Sequence, residues 1–266
     1  MSYLVIPSLR VAEANLINTN FLVGGVPVMA AMMLGHALGR TIGNLALSVA
    51  YIHHDLVPNG EWQFGVLYPQ QRRSATYMFE RGRSGDYASG SPGPTLSLQP
   101  VATGTVRASV IIEFEDPVSS TEDVIAFLAK ARLAGGRIDR HGEVGVHIDA
   151  GEALAAVRTG YVVMDRRDLM PMPDTADPLQ AMVDRLGRRA TSPDETWLSA
   201  THVGYAPITP IEARDGSREG YEHAYAEPLV GLVQFRSLRA LKAPASACFW
   251  RPEWTQEGVF LLRQPH

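Results

Sequence analysis

The chain has one cysteine, Cys248, so it can form no intrachain disulfide and no zinc site built from several thiolates. Its neighbours Ala247 and Phe249 mark that thiol as buried. Lysine is almost missing: Lys130 and Lys242 are the only two, and the other 22 of the 24 basic residues are arginine. Arginine is the better bidentate phosphate ligand, although a GC-rich genome gives the same bias. No run approaches the roughly 18 to 20 uncharged apolar residues a membrane helix needs. Met1 to Arg10 lacks a basic segment followed by a signal-peptide core, so the expectation is a soluble, cytoplasmic protein. An excess of positive charge is missing as well. A formal net charge of −4 argues against a freestanding, strongly basic nucleic-acid binder and leaves room for a local basic surface. No internal repeat stands out.

What is present is a chain of 266 residues with 45% apolar content, enough for a sizeable core. Tyr3 to Val11 reads as a buried first strand, followed by a loop bearing Asn15, Asn18 and Asn20. Gly24-Gly25-Val26-Pro27 opens a helix with Pro27 near its first turn, and Val28 to Leu38 is apolar or small at nearly every position, the mark of a central, buried helix. His36 reads as a core histidine within it. Leu45 to Leu56 and Trp62 to Tyr68 read as strands joined in a hairpin across Pro58-Asn59-Gly60. His53 and His54 are adjacent in the first of them, so they point to opposite faces and cannot easily share one metal.

Residues 70–102 differ in character. Arg72, Arg73, Arg81 and Arg83 alternate with Tyr77, Phe79 and Tyr87, ahead of the low-complexity run Ser89-Gly90-Ser91-Pro92-Gly93-Pro94. Such a segment buries little apolar surface and is expected to project from the domain. Its mix of cations and flat rings suits a single-stranded nucleic acid, and suits a solvated loop equally well.

Val106, Ala108, Val110, Ile112 and Phe114 alternate with Arg107, Ser109, Ile111, Glu113 and Glu115, the clearest strand pattern in the chain. Ser119 and Ser120 ahead of Glu122 and Asp123 form a helix start, and Val124, Phe127, Leu128 and Ala131 fall on one helical face. The helix is expected to run into Arg132-Leu133-Ala134-Gly135-Gly136-Arg137-Ile138, where Gly135 would end it while the turn brings backbone and flanking arginines close to a phosphate. Val144 to Ile148 supplies a further strand. This order approximates a βαββαβ unit, so the expected class is α+β: a ferredoxin-like core over 1–150 with a projecting insert at about 70–102, and a β-rich extension over 151–266. In the extension, Tyr161 to Asp165, Trp197 to Tyr205, Pro228 to Leu238 and Val259 to Arg263 read as strands, Pro178 to Arg189 as a polar helix and Glu212 to Tyr225 as a loop.

Several stretches in this order resemble a known family. Val5-Ile6-Pro7-Ser8-Leu9-Arg10-Val11, Ala14-Asn15, Gly25-Val26-Pro27 and His36-Ala37-Leu38 look like the amino-terminal signature of the type I-F (Csy) CRISPR subunit that holds the 5′ handle of the crRNA. Arg132 to Gly136 resembles that family's glycine-rich segment. Trp197-Leu198, Gly204-Tyr205, Pro207 to Pro210 and Gly231 to Leu238 resemble its carboxy-terminal part. The resemblance implies a RAMP protein, of the repeat-associated RNA-binding class, with residues 70–102 as its thumb. It implies a non-catalytic subunit with no cofactor and no metal. Its partners would be the crRNA 5′ handle, an adjacent backbone subunit and a large PAM-recognising subunit or its substitute, with target DNA as a further contact. The RNA-facing residues expected are Arg10, Asn15, Asn18, Asn20, Arg72, Arg73, Arg81, Arg83, Arg107, Arg132, Gly135, Gly136 and Arg137. Two alternatives stay open. One is a metal-independent endoribonuclease using His36, His53, His54 or His141. The other is a structural protein that holds no RNA.

Overall fold

Alternation along the first strand sets the layout. β1 (Ser2–Asn15) puts Leu4, Ile6, Leu9 and Val11 into the main core and Val5 into a second cluster on the other face of the sheet. The strand stays in this role over its whole length because its pairing slips between Ile6 and Leu9 and again between Val11 and Ala14. Ser8 (φ 53°) and Glu13 (φ 56°) occupy those bulges, and each bulge bends the strand. The computed structural model describes residues 1–19, 22–69, 102–170, 177–190, 192–217 and 220–265. Asn20, Arg72, Arg73, Arg81, Arg83 and all of the expected insert except Ala102 lie outside the described residues.

After β1 come β2 (Ile17–Thr19), β3 (Leu22–Val23), α1 (Val28–Ile42), β4 (Ala46–Pro58), β5 (Gly60–Gln63), β6 (Val66–Pro69) and β7 (Thr103–Phe114). There follow α2 (Thr121–Leu128), β8 (Arg132–Leu133), β9 (Gly136–Arg140), β10 (Gly145–His147), α3 (Ala150–Val157), β11 (Tyr161–Asp165) and α4 (Pro178–Gly187). The chain closes with β12 (Leu198–Pro207), β13 (Ala226–Ser237), β14 (Arg251–Trp254) and β15 (Phe260–Arg263). The described residues thus form a mixed α/β fold with four α-helices.

One eleven-stranded, curled antiparallel sheet carries the fold, in the order β14-β15-β12-β13-β11-β4-β7-β1-β9-β8, with β10 also pairing with β1. α1 lies on its main core face, with Met32, Leu34 and Leu38 against Val110, Ile112 and Phe114. Gly35 and Gly39 let the helix sit this close: a Cβ on Gly39 would stand 2.4 Å from the Asn44 carbonyl. The curl brings β12 round to α1, where the Thr201 hydroxyl donates to the Val26 carbonyl. α3 covers the opposite face with Ala153, Leu154 and Val157. With both faces covered, β7 is buried at every position from Ala108 to Phe114, so its alternation divides two cores rather than core from water. Cys248 lies in the second core, and burial pushes its thiol up to about 11.

Two expectations need correction. The hairpin does not turn at Asn59-Gly60: β5 pairs with β6, and the reversal falls at Phe64-Gly65, both at positive φ. Asn59 is instead tied to β7, its N–H donating to the Thr103 carbonyl at 2.8 Å and its Nδ2 to the Thr103 hydroxyl at 3.0 Å. Pro27 is the N-cap of α1, beside the first helical position as expected, whereas His36 is half-buried on the helix rather than in the core. Among the described residues, no helix is long and apolar enough to cross a membrane.

Candidate nucleic-acid interface

The glycine pair does not end a helix. α2 starts at Ser120, whose Oγ accepts from the Asp123 N–H at 3.2 Å, and stops at Leu128 with Ala129 as its cap. The chain then enters β8, which pairs with β9 through Arg132↔Arg137 and Leu133↔Gly136. Ala134 (φ 49°) and Gly135 (φ 73°) form the two-residue turn, and two successive positive φ values are what a tight hairpin requires. A Cβ on Gly135 would meet nothing within 4 Å, whereas one on Gly136 would lie 2.6 Å from the Ala12 carbonyl. Gly136, expected to face RNA, is buried against β1 and serves packing. Gly135→Ala should therefore cost about 1 kcal/mol through its backbone angle. Gly136→Ala should cost about 3 kcal/mol through overpacking. Equal shifts of the two urea midpoints would contradict this division.

The exposed turn forms one wall of a cleft of about 710 Å³. Asn15 and Asn18 line it from β1 and β2, and Arg132, Ala134 and Gly135 from the hairpin. Met29, Ala30 and Met33 of α1 contribute an apolar wall, with Thr201, His202, Tyr205 and Pro228 coming from β12 and β13. The polar groups are held in place. The Asn15 N–H donates to the Ala134 carbonyl at 2.8 Å, and its Oδ1 accepts from the Ile17 N–H at 3.0 Å. Asn18 Nδ2 donates to the Gly24 carbonyl at 3.2 Å, and Arg132 Nη1 to the Gly135 carbonyl at 3.1 Å. His202 Nε2 donates to the Gly204 carbonyl at 2.7 Å, with its ring edge-on to Tyr205 at 4.4 Å. Burial pulls His202 below the usual histidine range against the opposing pull of that carbonyl, and burial raises Tyr205. Amides, an imidazole, an aromatic ring and one guanidinium on an apolar wall are the groups that read an unstacked base and its phosphate.

Other expected residues fall on the sheet's second face. Arg10 stands opposite Arg107 across β1 and β7, and Arg107 opposite Asp55 of β4. Arg137 stands opposite Ala12 on β1 and opposite Arg132 on β8. Like charges side by side repel, and Asp139 offsets this by pairing with Arg10 and, at 2.8 Å, with Arg137. Arg132, Arg137, Arg10 and Arg107 thus form a basic strip leading from the hairpin across the sheet. At its end His54 Nε2 shares a hydrogen bond with Ser109 Oγ at 2.7 Å; burial, then the Arg107 charge, lowers its pKa.

The fold therefore gathers Asn15, Asn18, Arg132 and Gly135 in one place, sets Arg10, Arg107 and Arg137 along another, and removes Gly136 from both. Nothing local in the sequence marks Thr201, His202 and Pro228 as part of this cleft. They lie far along the chain in segments that read only as strands, and Gly204-Tyr205 in the resemblance was the one signal near them. The four candidate catalytic histidines are scattered: His36 on α1, His53 and His54 on opposite faces of β4, and His141 after β9, where its Nδ1 bonds the Gly142 carbonyl. Among the described residues no three His, Cys, Asp or Glu side chains are placed to hold a metal ion.

Residues 105–262, more than half of the chain, match the family model described as CRISPR-associated protein (Cas_Csy2). The chain belongs to the Cas_Csy2 family. No curated protein matches it. Membership makes it a type I-F Csy CRISPR-associated subunit, part of a multi-subunit CRISPR complex acting in antiviral defence. The match begins within β7 and ends within β15, so it spans the hairpin and the β12 wall of the cleft.

Proposed function

We propose that this Cas_Csy2 protein grips the 5′ handle of crRNA in the cleft beside the Ala134-Gly135 turn, as a non-catalytic subunit that caps the backbone filament and docks the large PAM-recognising subunit. The observation that carries the reading is the convergence of Asn15, Asn18, Arg132, Thr201 and His202 on one cleft, from segments far apart in sequence. The basic strip supports a phosphate track leading away from it. Cytoplasmic RNA-guided work fits a chain of net charge −4, because one face alone needs to be basic. A ferredoxin-like RAMP core is supported by the order β4-β7-β1-β9, which sets the first and third strands of a βαββαβ unit at the centre. Subunit docking is supported by an apolar groove of about 340 Å³ that includes Ile211, Trp254 and Phe260. Trp254 is 66% exposed, and so is much of its surround, with Ile208 at 60% and Tyr225 at 60%.

Handle RNA titrated onto the full chain tests the reading. Arg132→Ala should weaken binding about tenfold and make its salt dependence shallower by about one unit of slope. Asn18→Ala should weaken it with the slope unchanged. Unaltered binding in both, with complex assembly intact, would remove the cleft from RNA recognition. His202 is a histidine inside the cleft, which keeps one competing reading concrete. Repeat RNA cleaved in the presence of chelator, with cleavage lost in His202→Ala, would make the protein an endoribonuclease.

A further inference from the structure

Trp197 breaks two habits at once. It is a bulky residue at φ 61°, and its indole is 70% exposed. A positive φ at a non-glycine residue persists only where the surroundings hold it. They do so here from both sides: the Phe235 N–H donates to the Trp197 carbonyl at 3.0 Å, and the buried Gln234 side chain donates to the Thr196 carbonyl at 2.7 Å. The backbone is pinned so that the ring stands in water rather than in the core.

The indole has one flat neighbour. Tyr161, 42% exposed, stacks on it with ring centroids 6.3 Å apart and planes 30° from parallel. Tyr161 is anchored in turn at the start of β11, opposite His53 on β4 and Ser237 on β13. His53 packs edge-on to Phe235 at 5.2 Å, so rings also support the pair from within the sheet. Two exposed arginines stand at the same end of the β11–β13 ladder, Arg158 three residues before Tyr161 and Arg239 two residues after Ser237, in segments that the Leu238 N–H to Gly160 carbonyl bond ties together at 3.0 Å. A folded chain gains little by exposing two stacked rings at a strand end that carries two cations. A single-stranded nucleic acid gains a surface for a base and charges for its backbone.

We propose that Trp197 and Tyr161 form a stacking platform for an unpaired base of a single-stranded nucleic acid, separate from the cleft. It rests on the nucleic-acid reading above only for the class of ligand. Trp197 precedes His202 of the cleft by five residues, on the order of 16 Å along the chain. One strand can therefore engage both places. RNA and DNA share the chemistry, since every base has a flat face, so the probe decides between them.

The test uses the full chain with short single-stranded RNA and DNA oligonucleotides, each carrying one 2-aminopurine. Binding should quench the probe, and Trp197→Ala should remove most of the quenching and weaken binding about tenfold. Trp197→Phe should keep part of both. Trp197→Gly should lose the quenching without lowering the melting temperature, because glycine accepts the positive φ, which separates lost stacking from lost folding. Quenching of the RNA probe alone, the DNA probe alone or both supports the platform and names its ligand. Quenching unchanged in Trp197→Ala and Tyr161→Ala overturns it. So does unchanged quenching combined with loss of a co-eluting partner subunit, which would make the rings a protein contact. Handle-RNA affinity in Arg132→Ala reports on the cleft independently, so either site can fail alone.

Discussion

Trp250→Ala is expected to lower the stability of this protein by about 4 kcal/mol, the range for removing a fully buried large aromatic. Trp250 sits where backbone pairing between two neighbouring strands of the sheet is thin. β11 pairs with β4 through Tyr161↔His53 and Val162↔Ile52, and there the pairing stops. Trp250 takes over: its N–H donates to the Val49 carbonyl at 2.8 Å, and its carbonyl accepts from the Val49 N–H at 2.9 Å. Its indole, 0% exposed, donates to the Val163 carbonyl at 3.0 Å. One residue thereby bridges β4 and β11, the strands through which the two parts of the sheet meet. Trp250→Phe should cost far less, about 1 kcal/mol, because the ring still fills most of the space and Gln264 Nε2 also donates to Val163 at 3.1 Å. Urea unfolding followed by circular dichroism measures both. A loss under about 1 kcal/mol for the alanine variant would mean that the sheet holds without its wedge.

The second large effect is electrostatic. Glu113 on β7 is 2% exposed, and its carboxylate accepts from Arg251 Nη2 at 2.7 Å, from the Tyr3 hydroxyl at 3.3 Å and from the Ser48 hydroxyl. Burial, and then the Glu113 charge, raise the pKa of Tyr3. Arg251→Ala leaves the carboxylate buried without its cation and should cost about 3 kcal/mol, the low end of the range for breaking a buried pair. The low end applies because the Arg251 side chain is 46% exposed and its loss lets water in. Arg251→Ala combined with Glu113→Gln should recover part of that loss, since the neutral amide needs no counter-charge. Strictly additive losses would show that the pair contributes packing and not charge.

These two positions show what a linear reading misses. Glu113 falls on the polar half of the β7 alternation, where it reads as a surface residue. It is buried because α3 and the segment carrying Cys248 and Phe249 cover that face, and nothing local to β7 announces them. Trp250 carries no sequence signal of its role, since the gap it fills exists only once β4 and β11 diverge. The cleft was half legible. Asn15, Asn18, Arg132 and Gly135 stand out in the sequence because amides, arginine and glycine carry recognisable chemistry. Thr201 and His202 do not, because what makes them part of a site is the curl that carries β12 round to α1. The mistaken hairpin at Asn59-Gly60 has the same origin. Its local turn preference is real, and two hydrogen bonds to Thr103 override it.

Local patterns were enough for the strands of β1, β4, β7, β11 and β13, the buried helix α1, the Ser120 cap and the segments that resemble the Csy family, because alternation, helical spacing and capping act between residues a few positions apart. The tertiary structure alone decided which glycine of the pair faces solvent, which arginines share a face, and that Trp197 stands out on Tyr161. Each of those depends on contacts between segments tens to more than a hundred residues apart, and packing, not propensity, chooses among the conformations that the local sequence permits.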